Sequence, residues 1–207
     1  MPNTRMTRLP EKGVTDVREL HALLDRSYVA HVGVVRDGHP LVVPTGMARD
    51  GDRLLVHGST GSGWMRLLAD GADACVTVTS LEGIVVARSA FESSFHYRSA
   101  VVFGQFTVLD GDAKRAALDV LVEHLVPGRL AEVRASTNRE LAATLVLALP
   151  LDTWSLRVSD KWPEDEPDDV SGDAWAGVVP MRPVFGEPLP APDLRAGIPV
   201  PPSVRAL

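Results

Sequence analysis

The chain has 207 residues, 45% of them hydrophobic, enough to bury one sizeable core. Its net charge of −6 is local: of 27 acids, six fall between Glu164 and Asp173, leaving 21 against 21 bases and no basic stripe for a nucleic acid. No apolar run reaches the roughly 20 residues that cross a bilayer. The polar N-terminus has no apolar leader core and the lone Cys75 cannot close an internal disulfide, so a cytoplasmic protein without a membrane partner is expected.

Residues 1–14 read as a loose arm, after which Thr15 is placed to cap a first helix with Val17, Leu20, Leu23 and Leu24 on one face. The period then changes. Tyr28–Val35, Leu41–Met47 and Leu54–His57 are β-branched-rich runs joined by Asp37-Gly38 and Asp50-Gly51, the dipeptides that supply the positive φ of tight hairpin turns. Trp64–Leu68 is expected to form a short helix. Strands are expected at Ala74–Thr79, Ile84–Arg88 and Val101–Val108, with SAFESSFHYRS as a polar, aromatic connection between the last two. Asp112 is placed to cap a long helix that Pro127-Gly128 stops, and Thr137-x-x-Glu140 reads as a capping box. LVLALPL and TWSLRVS are the last strand candidates of a domain spanning 15–160. The extension 161–207 is acidic, then holds eight of the chain's 16 prolines in 180–207, so it should run extended over the body or a partner, anchored by Trp175 and AGVVPM. The acidic stretch itself reads as a solvated loop. Strands in hairpins with helices segregated from them imply an α+β, mainly β architecture: an antiparallel barrel or sandwich with peripheral helices.

The stretch Val42–Leu68 concentrates the chemistry. A strand delivers Gly58, Ser59, Thr60, Gly61 and Ser62 to a helix start, where hydroxyls and free N–H groups suit an anion. It is neither a P-loop nor a GxGxxG fingerprint. Pro44 and Thr45 sit mid-strand, and a proline there interrupts the ladder and frees main-chain groups for the edge of a planar ring. His57 ends the next strand. Arg66 and Arg98, the latter flanked by Tyr97 and Ser99, are the cations best placed to balance a phosphate. Phosphate at one end and a flat polar ring at the other describe flavin mononucleotide, FMN. Each residue also has a plainer reading: Ser62 as a helix cap, Trp64 as packing, Arg98 as a surface ion pair. The six histidines show no metal-ligand spacing and no CxxC or HExxH occurs, so no metal and no catalytic side chain is assigned. Any chemistry falls to a bound cofactor.

HVGVV-RDGHP-LVVPTGM, DGDRLLVHGSTGS, GADACVTVT, FHYRSAVVFGQ and LVEHLVPGR together resemble the pyridoxamine 5'-phosphate oxidase-like, FMN-binding split-barrel family, nearest its nitroimidazole-resistance-type branch. The resemblance covers roughly residues 15–150. It implies an antiparallel split β-barrel and a homodimer with FMN at the interface. The flavin would lie against Val43, Pro44 and Thr45, then His57, Gly58, Ser59, Thr60 and Ser62, with Tyr97, Arg98 and Ser99 completing the site; Trp64 and Arg66, on the adjoining helix, are counted with it on the residues themselves and not on the resemblance. Many members carry a basic pair where this chain has Gly63 and Trp64, so Arg66 or Arg98 must supply the cation. The resemblance also implies an oxidoreductase moving electrons from a reduced nicotinamide or another donor to a small molecule. A flavin-binding or storage module, or a deazaflavin- or haem-binding member of the fold, are the alternatives. Pyridoxamine phosphate oxidation itself is disfavoured by the tail, and haem degradation by the lack of a histidine after His124.

Overall fold

The computed structural model describes Thr4 and residues 7–207. Its strands are β1 (Gly13–Val14), β2 (Val29–Arg36), β3 (His39–Asp50), β4 (Arg53–Ser59), β5 (Asp73–Val86), β6 (Ser94–Gln105), β7 (Thr107–Val108), β8 (Thr144–Pro150), β9 (Trp154–Ser159) and β10 (Gly177–Pro180). They form one open sheet of order β1-β9-β6-β5-β2-β3-β4-β8-β7, with β10 added to β5, and neighbours are antiparallel throughout. The sheet folds over at β3. Its first half, up to Gly46, pairs with β2, and its second, Met47–Asp50, pairs with Arg53–Val56 of β4. The result is two packed halves that share one long strand and do not close.

Turn chemistry sets the register. Asp37 and Gly38 have φ of 52° and 77°, the double positive φ of a tight hairpin, and they hold Arg36 opposite His39. Alternation then sends Ala30, Val32 and Val34 inward with Val76, Val78, Ala100, Val102 and Leu156. Helix α1 (Val17–Asp25) closes one end of this core with Leu20, Leu23 and Leu24, and α2 (Gly63–Ala69) contributes Met65 and Leu68. A smaller cluster lies on the opposite side of β3, β4 and β8. There Ala48, Leu55, Val146 and Ala148 meet Ala117 and Leu121 of α3 (Gly111–Leu125).

Several boundaries differ from expectation. Asp16 rather than Thr15 caps α1, its carboxylate accepting from the Arg18 N–H, and Asp110 rather than Asp112 stands at the N-cap of α3. The capping box at Thr137 and Glu140 opens α4 (Asn138–Ala143) as read. The largest difference is the connection SAFESSFHYRS: β5 and β6 continue past the barrel as one long hairpin, and its turn is confined to the residues between Val86 and Ser94. Polar residues there are strand residues because their backbone groups pair across the hairpin, which composition does not show.

The extension folds back on the body. Strand β10 zips onto Gly83–Val86 of β5. The acidic loop is not wholly solvated. The Asp165 side chain is 1% exposed, accepting from the Arg88 N–H at 2.7 Å and from its guanidinium at 2.8 Å. Burial opposes ionisation of that carboxyl, but the two Arg88 hydrogen bonds outweigh it and hold its pKa below the usual value. Beyond β10, Phe185 packs edge-on to Tyr28, and the Ser203 N–H of the short helix Pro202–Arg205 donates to Glu132 at 3.0 Å. Among the described residues no helix is long and apolar enough to cross a membrane.

Candidate functional site

The site follows from where β3 and β4 part. Past Val56, β4 leaves β3 and continues along β8, with His57 opposite Val146, Gly58 opposite Leu145 and Ser59 opposite Thr144. Pro44 and Thr45 remain paired to His31 and Ala30 of β2, with no β4 partner on their other side. The interruption expected of a mid-strand proline is therefore present, and it forks the sheet. Pro40–Gly46 forms one arm of the fork and His57–Ser59 the other.

Strand alternation sorts the expected residues onto two faces. Val43 and Thr45 share the inner face with Ala30 and Val32, towards α2. Pro44 lies on the outer face in a row with His31, Thr77, Val101 and Ser155. His57 and Ser59 fall on that outer face too, in phase with Leu55, while Gly58 faces inward onto Met65: a Cβ there would stand 3.1 Å from Met65 Cγ. Desolvation lowers the His57 imidazole below its ordinary pKa, so it is neutral near pH 7.

The loop after β4 is held by its own polar groups. Thr60 donates from its N–H and hydroxyl to the Ala143 carbonyl at 3.0 and 3.3 Å, and Ser59 Oγ accepts from the Gly61 N–H at 3.1 Å. Only Ser62 of the three hydroxyl residues makes no such bond, since its side chain caps nothing. Trp64 packs half-buried against the main core, the plainer of its two readings, and Arg66 is exposed on α2. At seven residues α2 contributes little dipole of its own.

Tyr97, Arg98 and Ser99 lie within β6 rather than at a loop mouth, and they do not point together. Tyr97 and Ser99 lie on the outer face; β6 is three strand spacings from β3, about 14 Å. Arg98 lies on the other face, bonded to Glu19 of α1 at 2.8 Å and beside Glu82 at 3.3 Å. The ion-pair reading describes Arg98 in this chain, and the fork does not receive it. Two cations that the sequence did not single out stand elsewhere, Arg157 on the outer face and Arg36 at the end of β2 in phase with its inner residues. Arg157 of β9 stands opposite Ser99, its Nε buried without a hydrogen-bond partner among the described residues. Arg36, at the end of β2, reaches the Ser59–Gly63 loop, its Nη1 3.7 Å from where a Cβ on Gly63 would be. Neither carries a local motif; both are brought in by register.

An open antiparallel sheet folded at one shared strand and forked beside a strand–loop–helix unit defines the split-barrel class. The chain belongs to the pyridoxamine 5'-phosphate oxidase-like split-barrel family, whose sequence model, described as pyridoxamine 5'-phosphate oxidase, matches residues 16–158. Among solved structures it is similar to the FAD and haem binding protein from Mycobacterium smegmatis, with 56% identity over 94% of this chain and 96% of that one and a TM-score of 0.92. It is also similar to the flavocytochrome Anf3 from Azotobacter vinelandii, at 32% identity over 98% and 95% of the two chains with a TM-score of 0.91. A 5-nitroimidazole antibiotic resistance protein from Bacteroides thetaiotaomicron shares the fold at 20% identity, covering 70% of this chain and 86% of that one with a TM-score of 0.61. Comparison with curated proteins gives no match.

Proposed function

We propose that this chain is a flavoprotein of the flavocytochrome kind, holding FAD at the fork together with a haem and passing electrons from a reduced donor to a small molecule. The observation that carries the reading is the 56% identity, over nearly the whole of both chains, to a protein described as binding FAD and haem. The likeness to a flavocytochrome, again over nearly the whole of both chains, supports it. FAD takes the place of the FMN expected from the sequence. The ring, ribityl chain and first phosphate are common to both cofactors, so Pro44, Thr45, His57, Ser59 and Ser62 serve either.

The residues fit a flavin. Pro44 and Thr45 have no β4 partner, which leaves main-chain groups on that arm of the fork for the ring edge, and His57 is neutral beside it. They fit a haem as well, which needs a neutral imidazole. His96 and His124 bond backbone carbonyls and His21 faces Asp52, whereas His31, His39 and His57 have no polar partner among the described residues. Bound flavin would supply hydride and one-electron chemistry, and haem one-electron transfer; the protein supplies binding and orientation.

We further propose a homodimer joined through the outer sheet face, with Tyr97, Ser99 and Arg157 serving the partner's flavin. Their separation from the fork within one chain supports this. Reduced nicotinamide is the first donor to test.

The experiment is the visible spectrum of the purified protein, with chromatography of the cofactor released by acid. Flavin bands, a Soret band and released FAD are expected. A colourless preparation that takes up neither flavin nor haemin would overturn the reading, and FMN alone would reduce it to the flavin half. Either His31→Ala or His39→Ala should lose the Soret band and retain flavin.

A further inference from the structure

We infer that Arg36 is the cation that anchors the flavin phosphate at the Ser59–Gly63 loop, and that residue 63 is glycine because a longer side chain would occupy the space of that guanidinium. The inference rests on the flavin reading above and names a residue that neither the motif nor the family match singles out. A phosphate beside Ser59, Thr60 and Ser62 needs a positive partner, and the two arginines expected to provide it differ in availability. Arg98 is committed to Glu19 and Glu82 on the other face of the sheet. Arg66 is exposed, has no ion-pair partner among the described residues, and lies a turn along α2.

Arg36 reaches the loop through the fold. The Asp37-Gly38 turn ends β2 at Arg36, and its guanidinium comes to rest over Gly63, with Nη1 at 3.7 Å and Cζ and Nη2 at 3.9 Å from the Cβ position. A methyl group would make ordinary contact there, whereas a longer side chain would compete with the guanidinium for the same space. The guanidinium is uncommitted. Its one ion-pair partner among the described residues is the adjacent Asp37 at 3.6 Å, both side chains more than half exposed, a contact of little strength that salt screens. The Ser62 hydroxyl beside it caps nothing. A planar guanidinium takes two phosphate oxygens at once, which a lysine at the same place does less well. A dinucleotide brings two phosphates, and Arg66, three residues beyond Gly63, is the cation available to the second.

The test is titration of cofactor-stripped protein with FAD and with riboflavin, read by flavin fluorescence. Arg36→Ala should weaken FAD binding about 10- to 100-fold and leave riboflavin binding nearly unchanged, because only the phosphate contact is removed. Arg36→Lys should recover part of the loss. Arg36→Ala with Gly63→Arg should recover most of it, since an arginine grown from residue 63 enters the same space. Unchanged FAD affinity in Arg36→Ala would overturn the role of Arg36 and leave the flavin site standing. Equal loss of FAD and riboflavin would assign Arg36 to folding and overturn it as well. A wild-type protein that binds neither ligand would overturn the flavin reading, and this inference with it.

Discussion

The two faces of the larger half-sheet are made from the same strands and much the same residue types, yet they differ in what covers them. Inward, Ala30, Val32, Val76, Val78, Ala100 and Val102 are all fully buried. Outward, Val35 and Val42 are 63% and 62% exposed, Val42 in a row with Gly33, Cys75 and Phe103. The smaller half-sheet does not share this asymmetry, because α3 seals its outer side with Ala117 and Leu121. One chain thus covers half of its outer surface and leaves an apolar remainder. The inner face accounts for stability, and the outer face and fork carry the proposed cofactor and partner contacts.

The largest effect should come from opening the inner face. Leu54→Ala, at a fully buried position between the half-sheets, should cost about 2–5 kcal/mol, measured as a fall in the urea midpoint at constant slope. A cost no greater than that of an outer-face substitution would show that the two faces are energetically equivalent.

A more local effect is expected where the extension joins the body. Asp165 is ionised at neutral pH because Arg88 holds its pKa below the ordinary value. A carboxyl of lowered folded-state pKa stabilises above its unfolded pKa, and that contribution disappears as pH falls through the folded value. Asp165→Asn should therefore loosen the 161–180 segment at neutral pH, with faster amide exchange in β10 and faster proteolysis there. The difference from wild type should shrink in acid. Equal exchange at neutral pH would show that β10 pairing alone holds the extension.

How much of this was legible depended on whether the signal was local. The hairpin at Asp37-Gly38, the second hairpin, whose turn falls at Gly51-Asp52 one residue after the expected Asp50-Gly51, the capping box at Thr137 and the inward leucines of α1 each follow from residues within a few positions of one another. So does the forking of β3, since Pro44 marks a stretch that pairs on one side only. The lengths of β5 and β6 were hidden because Ser94–Ser99 has no strand composition and is ordered by pairing with residues 79–85. The directions of the cations were hidden for the same reason. Arg98 reads as well placed, but alternation turns it towards Glu19, 79 positions away. Arg36 reads as a turn-flanking base, and only the hairpin's length brings it over Gly63. A side chain's chemical type is a local property, whereas its direction depends on register.

The smallest effect on chain stability, and the sharpest test of the two-face contrast, should come from Val42→Ser. At 62% exposed this residue contributes little to the fold of one chain, so its unfolding free energy should change by less than about 0.5 kcal/mol. A second copy on the outer face would bury it, and the same residue would be buried again across the two-fold axis. Losing that apolar area twice should raise the dimer dissociation constant by about tenfold or more, read by sedimentation across a dilution series. The sheet row Val42–Gly33–Cys75–Phe103 locates the effect, because Val42 faces the same surface as Phe103 three strands away. If Val42→Ser and wild type sediment alike at every concentration, this face is not the joint between copies, and Tyr97, Ser99 and Arg157 lose their proposed place at a partner's flavin. If the variant dissociates and flavin is released with it, the outer face is where assembly and cofactor binding meet.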